Sequence, residues 1–361
     1  MNEVLFAEAK PLEPTAHHSL PTKFGRLLRR LELAGTVEGR SVAVKMHTGG
    51  DVGYTTIHPV FVRVLVDAVK EAGAKRVAVM DGEIGGAGAR GYTEEILGCP
   101  VVSCFGQTGG YLYRKKIGFH GLDWAHYGGN AWDADVFIDF SHVKGHGCCG
   151  FGGAIKNIAM GCVPPKTRAL IHRLEGGIVW DAEKCVQCLK CVKECPRHAN
   201  EFDEKGVYHV DFHNCTFCQH CILACPAHAL ELMEADFDTF QEGLARVAGT
   251  FLDHFPAERR LFINVLTNIT IFCDCWGMSC PPLHPDVGVL AGRNIVAVET
   301  ASLDRIKASR LIEEGVPKNW KMARRTGHLF ERLHGKDPWT QVRKMDELGY
   351  GPGDYKLVRV R

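Results

Sequence analysis

Two runs of cysteine in the middle of the chain have the spacing of metal ligands. The first is Cys185-x2-Cys188-x2-Cys191-x3-Cys195-Pro196, and thirty residues later comes Cys215-x2-Cys218-x2-Cys221-x3-Cys225-Pro226. The repeat extends to His198-Ala199 and His228-Ala229. Three closely spaced thiolates can wrap one iron–sulfur cubane, while a fourth, before proline, reaches across to a second cubane. By that rule one cluster is held by Cys185, Cys188, Cys191 and Cys225, and the other by Cys215, Cys218, Cys221 and Cys195. Zinc modules use two-plus-two ligand spacing, and disulfides belong to oxidising compartments. The expectation is two [4Fe–4S] clusters, which move single electrons.

A second group surrounds a glycine turn: His142-Val143-Lys144-Gly145-His146, then Cys148-Cys149-Gly150-Phe151-Gly152-Gly153-Ala154-Ile155-Lys156-Asn157, with His172 further along. Gly150, Gly152 and Gly153 let the backbone pass close to a bound group, and they precede a helix whose N-terminal amides favour an anion. Histidine shuttles protons near neutral pH, and a partly buried lysine serves as acid, base or Schiff-base amine. Any one of these residues alone reads as a loop hydrogen bond or a solvated lysine. Three histidines and two lysines together favour a site.

The third group is Cys273-Asp274-Cys275-Trp276-Gly277-Met278-Ser279-Cys280, with three thiols within eight residues. Cys273, Cys275 and Cys280 are candidates for an additional metal, zinc or a further iron–sulfur centre with a borrowed ligand, or for a redox-active pair. A buried cysteine-rich turn is the competing reading. Cys148 or Cys149 could donate to Cys273 or Cys275 across the cleft. Cys99, Cys104 and Cys162 show no spacing pattern, and core packing is the expectation for them.

These residues need a scaffold. Ser41–Met46, Lys75–Asp81 and Asp135–Phe140 read as buried strands, and Pro59–Ala72 reads as a helix closed by Gly73. A strand–helix–strand unit of this kind implies parallel pairing, with ligand sites beyond the carboxyl ends of the strands. The glycine loop after Asp81 matches neither nucleotide-binding fingerprint. After the cysteine-dense stretch a helix is expected from Ala235 to Phe255, strands at Leu261–Leu266 and Val287–Leu290, and helices at Ala301–Glu314 and Asn319–Leu333. The fold class expected is α/β: two α/β lobes with a cleft between them, plus an inserted module of the bacterial two-cluster ferredoxin type. The boundaries are 1–39 for an N-terminal helical extension, 40–178 for the lobe with the glycine-rich loop, 179–234 for the module, and 235–361 for the second lobe with C-terminal helices.

Composition sets the outer bounds. The 361 residues are 45% hydrophobic and 24% charged, which excludes disorder and a coiled coil. With 43 basic against 42 acidic residues there is no excess for a nucleic-acid backbone. No secretory leader or membrane span is evident, so a cytoplasmic location is expected, with thiols reduced or metal-bound. An oxidised cubane with four thiolates carries about −2, so two of them move the net charge from +1 to about −3.

The combination resembles a known family. Lys45-x-His47 after the first strand, Thr56-Ile57-His58-Pro59, Gly152-Gly153-Ala154-Ile155-Lys156-Asn157 with Met160-Gly161, the paired cysteine motifs, Cys273-Asp274-Cys275 and Asp286–Leu290 are together similar to the DUF362 family of iron–sulfur proteins, from about Arg40 to Asp304. That family is in turn similar to lactate racemases, whose two-domain α/β fold holds a nickel-pincer cofactor in the cleft. The resemblance implies that His146, Lys156 and His172 surround a cofactor and that Lys156 carries it covalently. The racemase proline-glycine is replaced here by Met160-Gly161, and the cysteine module has no racemase counterpart.

The leading expectation is an iron–sulfur oxidoreductase passing electrons to a substrate or cofactor in the cleft. His146, Lys156, His172, Lys45 and His47 would be its catalytic groups. A flavin in the cleft would convert one-electron supply into two-electron chemistry. Competing expectations are a non-catalytic electron carrier or subunit of a larger redox complex, and a racemase-like enzyme with a cofactor on Lys156. A redox partner protein is expected, without nucleic acid or membrane span.

Overall fold

Apolar runs with few polar breaks become strands buried on both faces, and the chain uses them to build one sheet. The computed structural model describes residues 2–50, 52–212, 214–215, 217–233 and 236–360. In chain order β1 is Asn2–Glu8, α1 Leu20–Arg30, β2 Ser41–Lys45, α2 Pro59–Glu71, β3 Arg76–Asp81 and β4 Val101–Ser103. A hairpin of β5 (Leu112–Phe119) and β6 (Leu122–Gly128) precedes β7 (Val136–His142). A short hairpin of β8 (Lys144–His146) and β9 (Gly150–Gly152) then leads into α3 (Ala154–Gly161) and α4 (Pro165–His172).

The cysteine-rich segment forms two small sheets. Its elements are β10 (Ile178–Trp180), the one-turn α5 (Lys190–Lys193), β11 (Asn200–Phe202), β12 (Tyr208–Val210), the one-turn α6 (His220–Leu223) and β13 (Leu230–Leu232). β10 pairs with β13 and β11 with β12, both antiparallel. The chain then continues through α7 (Phe237–Leu252), β14 (Arg260–Leu266), β15 (Gly288–Gly292), α8 (Ile295–Arg305), α9 (Leu329–His334), α10 (Thr340–Glu347) and β16 (Tyr355–Arg359). Glu234 and Ala235, where the module boundary and the start of the next helix are expected, lie outside the described residues.

The main sheet has eight strands in the order β16-β1-β15-β14-β7-β2-β3-β4. β14, β7, β2, β3 and β4 run parallel, and β15 opposes its neighbours. This corrects the expectation of two lobes. β14 pairs directly with β7, from Arg260 opposite Phe137 to Val265 opposite His142, so the portions before and after the module share one layer. Both strands are buried, and each supplies the hydrogen-bond partners that the other's edge would lack.

The N-terminal extension is corrected in the same way. β1 sits inside the sheet between β15 and β16, with Val4, Leu5, Phe6 and Ala7 buried. Alternation assigns its side chains to two faces. Val4 and Phe6 join the core beneath α3, α7 and α8, whereas Leu5 and Ala7 join Phe24, Leu27, Phe61 and Leu65 of α1 and α2.

Two helix expectations shift as well. α8 begins where Asn294 accepts the Ala297 N–H at 2.9 Å and ends at extended Ile306, so 306–314 is not helical beyond short turns. Of the 319–333 stretch only α9 forms, capped by His328 at the Phe330 N–H. Among the described residues no helix is long and apolar enough to cross a membrane.

Candidate functional site

The carboxyl ends of β2, β3 and β7 face a cleft of about 750 Å³, the position at which open parallel sheets bind ligands. Lys45, His47, His146, Lys156 and His172 all line it, together with Gly152, Gly153, Cys273 and Cys275. Gly150 and Cys280 do not. Gly150 is left-handed, and a side chain there would meet the backbone of Lys336 and Pro338. Cys280 lies beyond the left-handed Gly277, where its neighbour Ser279 accepts the amides of Tyr54 and Thr55.

At one end of the cleft Lys45 is fully buried. Its Nζ donates to Asp81 Oδ1 at 3.0 Å, Asn157 Oδ1 at 2.7 Å and the Met46 carbonyl at 3.0 Å. Burial, the largest influence, opposes its charge, but Asp81 together with the nearby Cys162 and Cys104 holds the ammonium above the ordinary lysine range. All three N–H groups are therefore used by the chain itself, and Lys45 acts as a fixed cation in the wall. His47 Nδ1 meets Asp81 Oδ2 at 2.8 Å, and its Nε2 is a buried atom without a hydrogen-bond partner. Asp81 also accepts the amides of Thr48 and Gly82. Burial raises its pKa, but Lys45 and His47 prevail and keep the carboxyl far below the usual range.

At the opposite wall His142 and Lys144 serve the cysteine turn. His142 Nδ1 lies 2.7 Å from Asp274 Oδ2 and its Nε2 2.6 Å from the Thr267 carbonyl. Lys144 Nζ donates to Asp274 Oδ1 at 2.7 Å and to the carbonyl and hydroxyl of Thr55 at 2.9 Å. Despite burial, these two partners hold the Asp274 carboxyl well below its ordinary range. They brace the turn that carries Cys273 and Cys275, whose sulfurs are joined as a disulfide.

The partner of that pair differs from expectation. A ring nitrogen of His146 and the sulfurs of Cys273 and Cys275 lie within 4.8 Å of one another. Cys149 Sγ instead meets His146 Nδ1 at 3.3 Å and the Phe151 carbonyl, and Cys148 faces His172 and Glu175. The β8–β9 hairpin turns both thiols away from the cysteine turn and presents His146 to it. Lys156 Nζ lies 3.5 Å from Cys275 Sγ and 3.8 Å from Cys273 Sγ, and burial lowers its pKa.

The helix after the glycine turn does not wait for an anion. Glu299 on α8 already occupies the N-terminus of α3, where its Oε1 accepts the Ile155 N–H at 2.9 Å, and Asn264 Nδ2 donates to its Oε2 at 3.1 Å. A side chain on Gly153 would collide with this carboxyl, so that glycine serves packing. Gly152 leaves room for the Lys156 and Cys273 side chains.

Burial pushes Glu299 up to about 7 from an ordinary 4.5. Between those values the folded chain holds a proton that the unfolded chain releases, so Glu299 makes stability fall as pH rises. Asp139, also buried and shifted upward by burial, acts with the same sign. Glu299→Gln is expected to shrink the loss of melting temperature between pH 5 and pH 8, and an unchanged loss would show that Glu299 does not titrate there.

The cysteine module repeats its backbone as well as its sequence. Gln187, Leu189 and His198 are left-handed at φ 50°, 58° and 51°, and their counterparts thirty residues on, Phe217, Gln219 and His228, are left-handed at 50°, 64° and 48°. Backbone amides point at sulfur: Ala199 N–H to Cys195 at 3.2 Å, Phe217 N–H to Cys215 at 3.5 Å and Ala229 N–H to Cys225 at 3.3 Å. Cys195, Cys215, Cys218 and Cys221 line one cavity, the set expected to share a cluster. Among the described residues no three of the eight module sulfurs come within 4.8 Å of one another, whereas thiolates on one zinc ion stand about 3.8 Å apart. Burial pushes the Cys191 and Cys215 thiols up to about 11.

A run of buried side chains leads from this cavity toward the cleft. Lys336, 3% exposed, donates to the Cys215 carbonyl, and burial lowers its pKa to about 8 while the Cys148 and Cys215 thiols oppose the shift. Cys148 in turn groups with Glu175 and His172, and His172 lines the cleft. Asp81, Asp274, Glu299 and Lys336 were not picked out as functional from the sequence. Asp81 alone left a usable signal, as a polar residue closing a buried strand before glycine.

A family model described as a domain of unknown function (DUF362) matches residues 42–304, which include the cleft and the module. No curated protein matches the chain. Among solved structures, the lactate racemase apoprotein from Thermoanaerobacterium thermosaccharolyticum is 12% identical, with a TM-score of 0.36 over 81% of this chain and 54% of that one. A protein from Thermotoga maritima is 11% identical, with a TM-score of 0.36 over 70% of this chain and 51% of that one. The chain spans about half the length of each.

Proposed function

We propose that this chain, which belongs to the DUF362 family, is an iron–sulfur oxidoreductase that passes single electrons through two [4Fe–4S] clusters to a substrate or cofactor held in the cleft. The observation that carries this reading is the repeated backbone of the module, in which matched left-handed residues turn amides onto cysteine sulfur around a cavity lined by four cysteines. Amide N–H groups aimed at sulfur stabilise bound thiolate and tune its potential. Cys185, Cys188, Cys191 and Cys225 would hold one cluster, and Cys195, Cys215, Cys218 and Cys221 the other. When bound, the clusters supply one-electron transfer at potentials set by burial and by hydrogen bonds to sulfur.

The chain's own residues supply the remaining parts. Cys188 and Cys218 are exposed, so the module offers a face to a redox partner protein. Lys336 joins the Cys215 carbonyl and faces Cys148, and Cys148 groups with Glu175 and His172, so buried side chains run from Cys215 to a residue of the cleft. In the cleft His47 presents Nε2, and His146 and Lys156 stand beside the cysteine pair as proton carriers.

Anaerobic purification followed by iron and sulfide analysis tests the reading. About eight iron and eight sulfide per chain are expected, with reduction by dithionite giving paramagnetic clusters. Zinc in place of iron, or no more than about four iron per chain, would overturn it.

A further inference from the structure

We infer that Cys273 and Cys275 are a redox-active pair that collects two electrons at the cleft wall and reduces a low-molecular-weight disulfide. The inference rests on the cluster reading above for its supply of electrons. The two sulfurs are joined, with Cα atoms 5.5 Å apart, and they differ in access: Cys273 is 7% exposed, whereas Cys275 is exposed. An accessible thiol that attacks and a sheltered one that resolves is the arrangement disulfide exchange requires. The Asp274 brace to His142 and Lys144 holds the turn in place whichever state the sulfurs are in.

Two side chains able to carry protons stand beside the pair. Lys156 Nζ lies 3.5 Å from Cys275 and 3.8 Å from Cys273, and a His146 ring nitrogen lies within 4.8 Å of both sulfurs. His146 Nδ1 faces the Cys148 amide N–H at 3.1 Å, so in the neutral ring Nδ1 is the acceptor and Nε2 carries the proton. A metal-bound histidine does the opposite, donating its second N–H to an acceptor. The geometry therefore favours a protonating histidine beside thiols over a zinc ligand.

The chemistry balances. Two electrons, delivered one at a time by an external one-electron donor protein by way of the module, and two protons, through Lys156 and His146, break the Cys273–Cys275 bond and leave two thiols. Cys275, as thiolate, attacks one sulfur of the substrate disulfide, whose other sulfur leaves and is protonated. Cys273 then displaces the second substrate thiol from Cys275, which re-forms the pair.

Anaerobic holoprotein tests this directly. Dithionite titration is expected to take up about four electrons per chain in the wild type and about two in Cys275→Ser, with about eight iron in both. Alkylation read by mass spectrometry supplies a second measurement on the wild type. Cys273 and Cys275 should be blocked after treatment with oxidised glutathione, labelled after dithionite, and blocked again when oxidised glutathione is returned. Uptake of about two electrons by the wild type with full iron would overturn the pair. So would labelling of both thiols after oxidised glutathione, or one zinc per chain that is lost in Cys275→Ser. A wild type without iron would overturn the cluster reading instead, so the two fail separately.

Discussion

Cys221→Ala is expected to lower the iron content from about eight to about four per chain or less, and to abolish reduction of anything bound in the cleft. The size of the effect follows from where Cys221 lies. It is buried and lines the cavity shared with Cys195, Cys215 and Cys218, the one next to the main body of the protein. That side of the module is pinned by Arg197, which donates to the Leu333 carbonyl at 3.2 Å and stacks on Trp320 at 4.2 Å, and by Lys336 on the Cys215 carbonyl. On the proposed assignment, losing this cluster removes the one whose ligand Cys215 is bonded to Lys336, the residue that also faces Cys148. Cys188→Ala makes the control, since Cys188 is exposed in the other ligand set. It should also remove about half the iron while leaving the inner cluster reducible by a small diffusible donor. If Cys221→Ala kept full iron, the assignment of ligands to the two clusters would be wrong.

Asp274→Ala should be strongly destabilising. It strands two groups, the Lys144 ammonium, whose side chain is 1% exposed, and His142, whose side chain is 3% exposed. Removing one partner of a buried ion pair typically costs about 3–5 kcal/mol, because the remaining charge stays desolvated. Asp274→Asn keeps the shape and removes the charge, so most of the loss should persist. Because the carboxyl is held well below its unfolded value of 3.8, its contribution is fully present above that pH and disappears only in acid. The deficit of the variant should thus be constant from pH 5 to pH 8, in contrast to the Glu299 effect. A variant with wild-type melting temperature and an unperturbed Cys273–Cys275 pair would remove the bracing role.

Much of the site is legible in the residues themselves, and the failures have identifiable causes. Lys45, His47, His146, Lys156 and His172 come to one cleft: Lys45 and His146 close strands, His47 follows one, and Lys156 and His172 lie on the two helices after the glycine turn. The use of each residue is a separate matter. Lys45 looks like a ligand-binding cation, yet Asp81 and Asn157 occupy its N–H groups. The amides before α3 look ready for an anion, yet Glu299, 144 residues away along the chain, holds the Ile155 amide. β1 and β16 escape detection because each is short and carries charged residues, and each pairs with a neighbour from the far end of the chain. The 301–314 helix is displaced because the Asn294 cap, rather than the apolar residues, decides where α8 begins.

The sequence by itself determined the thirty-residue repeat of the cysteine segment and the strands β2, β3, β7 and β14. Ligand loops with two-residue spacing and strands of continuous apolar residues are both specified by interactions within a few residues, so local order is enough. Only the tertiary structure decided that the halves on either side of the module share one sheet, that His146 rather than Cys148 or Cys149 stands beside Cys273 and Cys275, and that Lys336 links the module to the cleft wall. Those outcomes depend on which polar groups are buried together, and burial is a property of packing between segments more than a hundred residues apart.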